Sequence, residues 1–131
     1  MQPWLGEGLA MVKRAQAIVV GFDGSDGAKR ALDRAADLVG YGTRLSVVHV
    51  VPPSAHANGS RLLDEARRRL NGRQVAAHTL ERVGDPTAEL IRASRELRAH
   101  LLVIGDGKRS TEGSVGARLI REAPCDVLVV R

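Results

Sequence analysis

The sequence predicts an α/β protein with a doubly wound, parallel five-stranded sheet and helices on both faces, a Rossmann-like arrangement. Short, uninterrupted apolar runs, typical of parallel strands covered on both faces, alternate with segments whose apolar residues recur at helical spacing. The chain is 44% hydrophobic but only 2% aromatic, so Val, Leu, Ile and Ala must build the core, as they do in α/β layers. At 131 residues, we expect one domain.

The first half of the chain predicts two strands and two helices. The first strand covers 17–22 and ends in the turn-forming segment GFDGSDG, after which Ala28 to Val39 mark the buried face of a helix. The second strand covers 45–51 and ends at two prolines. Ser60 is the predicted cap of the next helix.

The second half continues the alternation. A weakly alternating, edge-like strand is predicted over 75–83, and Gly84-Asp85-Pro86 then begins a helix, with Asp as the cap and Pro at the first helical position. A strand over 101–104 leads through a glycine-rich loop to a helix with Val115, Leu119 and Ile120 on one face. Pro124 ends this helix, and 127–130 form the last strand.

The loop between the fourth strand and the last helix has the composition of an anion site. Gly105 and Gly107 allow the backbone to approach a ligand without a Cβ in the way. Gly113 and Ser114 lie where the unpaired N–H groups of a helix start would accept a phosphate, and Lys108 adds positive charge. In the alternative interpretation this is a tight strand-to-helix connection in which Ser114 is only a helix cap.

The predicted topology brings two distant segments to one place. In doubly wound sheets, ligands bind beyond the carboxyl ends of the strands, where the winding reverses. If the strand order is 3-2-1-4-5, Gly21, Asp23 and the 105–114 loop line one crevice. Asp23 could bind a divalent metal that bridges phosphates, bond a ribose hydroxyl, or simply cap its own turn.

Other functional classes find little support. The net charge of +5 comes largely from arginines on helix faces, and the lack of aromatic residues argues against nucleic acid as a partner. Cys125 is the only cysteine, expected to be buried and inert, and the four histidines are isolated from other metal ligands. Because no nucleophile–base pair or carboxylate pair is evident, we expect no enzyme. Without a long apolar run, a cytoplasmic protein is expected, not a membrane protein.

Five segments together resemble the universal stress protein family. They are IVVGFDGSDGAKRALDRAADL at 18–38, LSVVHVV at 45–51, GDPTAELI at 84–91, LLVIGDG at 101–107 and GSVGARLIREAPCDVLVV at 113–130. The resemblance spans 17–131, so residues 15–131 are assigned to the family domain and residues 1–14 to a loosely ordered arm. It implies the 3-2-1-4-5 sheet, a homodimer formed through the last strand, and a cytoplasmic role in stress survival. Some members of the family bind ATP and others do not.

The resemblance also implies roles for single residues. Asp23 matches an aspartate near the ribose and phosphates, and Gly21 and Val50 match positions that line the adenine pocket. Phe22, between Gly21 and Asp23, is assigned to the same site, as are Gly105, Gly107, Lys108, Gly113, Ser114 and Val115. Asp126 stands where the family usually has a proline.

The spacing of the glycine loop departs from the family pattern of glycine, two residues, glycine, roughly nine residues, glycine and Ser/Thr. Here one residue separates Gly105 from Gly107, and five separate Gly107 from Gly113. The shorter loop offers fewer N–H groups to a triphosphate. The resulting hypothesis is a stress-response module that binds ATP or a smaller adenine nucleotide such as AMP or cAMP, with Mg²⁺ as a companion ion. The alternative is a family member without a nucleotide site, acting through its dimer surface and protein contacts.

Overall fold

The protein is described here from a computed structural model, which covers residues 16–53, 59–106 and 115–131. Within these ranges, strands and helices alternate in the order β1 (Gln16–Gly21), α1 (Asp26–Asp37), β2 (Thr43–Val51), α2 (Gly59–Asn71), β3 (His78–Val83), α3 (Pro86–Glu96), β4 (Leu101–Gly105), α4 (Val115–Glu122) and β5 (Asp126–Val130). The five strands form one sheet in the order β3-β2-β1-β4-β5, and every neighbouring pair is parallel. The predicted fold is confirmed.

The sheet separates two hydrophobic cores, one on each face. Helices α1 and α2 cover the first face, where they bury Leu32 and Leu70 against strand residues such as Val20. Helices α3 and α4 cover the second face, where Leu90 and Leu119 pack on the opposite side of the strands. Buried apolar area on both faces stabilises the fold and fixes which strand residues point to each side.

The winding reverses between β1 and β4. The chain leaves β1 toward β2 on one side, and β4 later pairs with β1 on the other side. The crevice expected of a doubly wound sheet therefore lies above the carboxyl ends of β1 and β4.

An arginine clamp joins α1 to α2 at the surface. Arg69 donates two hydrogen bonds of 2.8 Å to the carboxylate of Asp33, and Arg73 donates to the Asp33 carbonyl at 2.6 Å and to the carboxylate of Asp37. The hydrogen bond from Arg69 lowers the pKa of Asp33, and the same contact raises the pKa of Arg69. Arginines that the sequence places on helix faces are therefore partly neutralised by acids of the neighbouring helix.

Four local predictions need correction. Helix α2 already includes Gly59, so Ser60 lies inside the helix rather than capping it. Strand β3 begins at His78, since the backbone N–H of Val75 instead donates to the carbonyl of Leu70, near the end of α2, at 3.0 Å. Ile120 is 61% exposed and does not share the buried face of Leu119.

Cys125 is the fourth correction, because its thiol is only partly buried. Burial raises the pKa of this thiol above its ordinary value, and the neighbouring Asp126 carboxylate raises it further. A raised pKa lowers the fraction of reactive thiolate at neutral pH, and the inertness expected from the sequence stays a prediction.

The predicted arm, residues 1–14, lies outside the described residues. None of the helices that the structure describes is long and apolar enough to span a bilayer.

Candidate functional site

The turn after β1 is built from two side-chain caps. The carboxylate of Asp23 accepts a hydrogen bond from the Ser25 N–H at 2.9 Å, and the Ser25 hydroxyl accepts one from the Ala28 N–H at 3.1 Å, which caps α1. Gly24 has φ +83°, a conformation that side chains rarely adopt. Of the three roles considered for Asp23, the turn-capping role is observed. Asp23 is nonetheless exposed, and no hydrogen bond to its second carboxylate oxygen is present among the described residues.

The end of β4 touches the first turn of α1. A Cβ built on Gly105 would overlap the Gly27 carbonyl and would lie 2.8 Å from the Ala28 nitrogen. A Cβ built on Gly27 would lie 3.1 Å from the Asp106 carbonyl oxygen. Gly105 is therefore required for the close approach of helix and strand. The space that a side chain at this position would need is filled by backbone atoms of α1. This contact brings the turn after β1 to the start of the glycine loop.

The two residues assigned to the adenine pocket lie at the carboxyl edge, on the face that α3 covers. Gly21 pairs with Val48, and a Cβ on Gly21 would lie 3.2 Å from Leu90 Cδ1 and 3.5 Å from Ile104 Cγ2. Val50 is partly buried against the same hydrophobic cluster. The Leu90 side chain, which is itself buried, thus covers Gly21.

Four assigned residues, Gly107, Lys108, Gly113 and Ser114, lie outside the described residues. Val115, the fifth of this group, is the first residue of α4 and is 38% exposed. Next to it, a Cβ on Gly116 would make an ordinary contact at 3.4 Å with Ile104 Cδ1. Helix α4 therefore begins close to the end of β4, on the same face as Gly21. Phe22 is buried in the opposite core, and only its backbone faces the crevice edge.

His49 holds the backbone of this edge in place. Its ring is 6% exposed, and its Nδ1–H donates to the Phe22 carbonyl at 2.8 Å. Its Nε2 is buried and has no hydrogen-bond partner among the described residues. The sequence indicates only a histidine isolated from other metal ligands, and the structure adds that the ring is buried with one nitrogen bonded.

Two cations near the crevice were not found from the sequence. Arg30 Nη2 would lie 3.7 Å from a Cβ on Gly27, which places this guanidinium beside the contact of α1 with β4. Arg118 lies 3.8 Å from the Asp85 carboxylate at the cap of α3 and 3.6 Å from Glu122, so it links the starts of α3 and α4. Helical spacing alone places both arginines on solvent-facing sides of their helices. Their positions near the crevice become visible only in the structure, where the starts of the helices lie at one edge of the sheet.

The described residues contain no group of three or more His, Cys, Asp or Glu side chains that could hold a metal ion. A cavity lined by residues of β1, β2 and β3 lies at the amino end of the sheet, away from the crevice. The carboxyl edge thus offers backbone groups, the exposed carboxylates of Asp23 and Asp85, and two nearby cations, all of which can bind a polar ligand.

Comparisons with known proteins point to a single family. The sequence pattern of the "Universal stress protein family" matches residues 15–131. Universal stress protein Rv1636 of Mycobacterium tuberculosis is 31% identical, covering 88% of this chain and 95% of that protein. A universal stress protein of Thermus aquaticus is 32% identical, covering 88% and 98%. The crystal structure of a universal stress protein in complex with cAMP is similar at 28% identity and a TM-score of 0.77, covering 88% of this chain and 97% of that one.

Proposed function

This chain belongs to the universal stress protein family, and on that premise we propose that it binds an adenine nucleotide in the crevice above the carboxyl ends of β1 and β4. The observation that supports the proposal most directly is the contact of Gly105 with the first turn of α1. Because of it, the Gly21–Ser25 turn and the start of the glycine loop share one edge of the sheet, where the fold class binds its ligands.

The ligand class follows from a similar protein and from charge. The similar structure at 28% identity contains cAMP. In this chain, the exposed carboxylate of Asp23 and the partly buried Asp106 stand at the crevice, and negative charges disfavour a ligand that carries several more. We therefore expect AMP or cAMP to bind more tightly than ATP, although ATP with Mg²⁺ belongs to the same proposal.

Asp23 has a defined part in this proposal. One of its oxygens accepts the Ser25 N–H, and the other would accept a ribose hydroxyl or contact Mg²⁺ carried by ATP. Arg30 and Lys108 would offset the phosphate charge. The protein would act as a cytoplasmic, nucleotide-responsive binding module without catalysis.

Dimerisation through β5 is part of the same proposal. Among the described residues, β5 pairs with β4 on one side, and Val127 to Val130 remain only partly buried. An edge strand with this pattern is suited to pairing with a second copy. Asp126, exposed at the start of the strand, would bring two carboxylates into the seam region and weaken rather than prevent pairing.

The experiment compares cAMP, AMP and ATP–Mg²⁺ by calorimetry and thermal unfolding of the full chain. At a hundredfold excess over Kd, a ligand specific for the folded state stabilises it by about 2.7 kcal/mol. The variant Asp23→Asn keeps an oxygen for the Ser25 N–H but removes the charge, and Asp64→Asn on the surface of α2 is its matched control. We expect Asp23→Asn to change nucleotide affinity and Asp64→Asn to leave it unchanged.

If none of the three nucleotides binds or stabilises the protein at millimolar concentration, the proposal is wrong. The alternative is then a family member that works through its dimer surface and protein contacts. The mass of any small molecule that copurifies with the protein separates the two cases independently.

A further inference from the structure

A cavity of about 550 Å³ opens at the amino end of the sheet, at the end opposite the nucleotide crevice. Val19, Ser46 and Leu80 line it from three neighbouring strands, and Leu97 lines it from the end of α3. Its volume falls within the range of about 300–1,000 Å³ found for ligand pockets. Among the described residues, neither the crevice nor strand β5 contributes to this lining.

Half of this lining is polar, and its formal charges are all positive. Of the ten described residues that line the cavity, five are apolar, and the other five are Arg44, Ser46, Arg67, His78 and Thr79. None of the ten is an aspartate or a glutamate. A ligand that carries a negative charge would therefore meet two guanidinium groups and no carboxylate within the described lining.

The two arginines differ in how far their charge is already neutralised. Arg67 donates to the Asp64 carboxylate at 3.2 Å and to the Thr79 hydroxyl at 2.6 Å. Arg44 is exposed and forms no ion pair with a described residue. One guanidinium of the lining thus remains uncompensated, and a single negative charge on a ligand would match it. A carboxylate suits this position because it can accept two parallel hydrogen bonds from one arginine.

Ser46 adds a polar group beside this arginine. Arg44 and Ser46 are two positions apart on β2, so their side chains lie on the same face of the sheet. Ser46 is only 6% exposed, and its hydroxyl makes no hydrogen bond with another described residue. A ligand oxygen that accepts from this hydroxyl would supply the partner that a buried polar group requires. Leu80 and Leu97, which are partly exposed, add apolar surface that a ligand could bury.

We propose that this cavity binds a small organic anion that has one carboxylate and an apolar body. The carboxylate accepts hydrogen bonds from Arg44 and Ser46, and the apolar body lies against Leu80 and Leu97. This site is independent of the proposed nucleotide site, because it lies at the opposite end of the sheet.

Hexanoate is the probe, titrated into the isotope-labelled full chain. We expect saturable shifts in the backbone amide NMR signals of Ser46 and Leu80, and no shift in that of Gly21, which lies at the carboxyl end of β1. Acetate lacks the apolar body and should bind about tenfold more weakly than hexanoate. Hexanol lacks the charge and should bind about fivefold more weakly.

Two charge-matched variants test the role of Arg44. Arg44→Gln should weaken hexanoate binding by about fivefold, the upper range for an exposed ion pair. Arg34→Gln should leave it unchanged, because Arg34 is exposed on α1, forms no ion pair with a described residue and does not line the cavity. Both substitutions replace exposed side chains, so both variants are expected to fold.

Three results would overturn the proposal. The first is the absence of shifts at Ser46 and Leu80 with millimolar hexanoate. The second is binding of acetate or hexanol as tight as that of hexanoate, since the apolar body or the charge would then play no part. The third is an equal effect of Arg44→Gln and Arg34→Gln, which would show that only the net charge of the protein matters.

Discussion

The contact between Gly105 and α1 leads to a quantitative prediction about stability. In Gly105→Ala the new methyl group would overlap the Gly27 carbonyl and lie 2.8 Å from the Ala28 nitrogen. Both neighbours are backbone atoms in the first turn of a helix, so neither can rotate away. Overpacking of a core costs about 1–3 kcal/mol and sometimes more. We expect a loss of about 3 kcal/mol in the free energy of unfolding, because helix and strand must separate to relieve the overlap.

Two other glycines provide graded controls. Gly116→Ala, in α4, places its methyl group 3.4 Å from the Ile104 side chain, an ordinary contact. Since Ala is favoured over Gly in helices by about 1 kcal/mol, this variant should be as stable as the wild type or slightly more so. Gly27→Ala combines the same helical gain with a tight contact of 3.1 Å to the Asp106 carbonyl, and should fall between the other two.

Urea denaturation at equal m-values measures this order directly. For a domain of this size, 1 kcal/mol also corresponds to about 3–5 °C in Tm. If Gly105→Ala proves as stable as the wild type but loses nucleotide binding, Gly105 acts as a ligand-facing glycine and the packing argument is wrong. If Gly105→Ala loses both stability and nucleotide binding, this variant alone cannot separate a packing role from a ligand-facing role. The order of stability among the three glycine variants then decides between the two roles.

Three further predictions concern a cap, a pH dependence and a thiol. Ser25→Ala should reduce stability by about 1 kcal/mol through loss of the α1 cap, whereas Ser60→Ala, exposed within α2, should change it by less than about 0.5 kcal/mol in the same urea titration. Because Arg69 lowers the folded-state pKa of Asp33, the carboxylate stabilises the fold above its unfolded pKa of about 3.9, and this contribution is lost as pH falls through the lower folded value. On acidification, the free energy of unfolding should therefore fall less in Arg69→Gln than in the wild type. The difference should be no more than the ~1 kcal/mol typical of exposed pairs, and identical curves for the two proteins would contradict the role of the pair. The raised pKa of Cys125 predicts slow alkylation at neutral pH in the folded protein and fast alkylation in denaturant, and equal rates would count against it.

The order of strands and helices could be predicted from the sequence because the apolar periods change clearly between elements. The run at 101–104 and the Asp85-Pro86 start are local signals, and the structure has both where they were expected. The end of α2 depends less on local sequence signals. Val75 continues an apolar pattern that suggested a strand, but its N–H donates back to Leu70. The hydrogen bond that ended the helix overrode the weak alternation.

The site could be predicted only in part, for a related reason. The sequence shows which residues end each parallel strand, so the topology brings Gly21, Asp23 and Gly105 to one edge. It does not show which glycine contacts protein and which could contact a ligand. Leu90 over Gly21, and Gly27 against Gly105, are contacts between segments about 70 to 80 residues apart along the chain. Such pairs have no signal in one sequence.

The packing role of Gly105 also bears on the proposed preference for a ligand with few phosphates. The Asp106 N–H already donates to the Val130 carbonyl at 2.7 Å, and Ser25 accepts the N–H groups of Ala28 and Lys29 through its hydroxyl and its carbonyl. These backbone donors are therefore not available to a ligand, and free N–H groups at the β4 end must come from residue 107 onward. A loop that is already short then has fewer donors than its glycines suggest. A triphosphate needs many donors to offset its charge, whereas a single phosphate needs few. Under the proposed function, the hydrogen bonds of the edge would therefore favour AMP or cAMP over ATP, as would its carboxylates. Tighter binding of ATP–Mg²⁺ than of AMP would contradict this expectation and would show that the loop supplies further N–H donors.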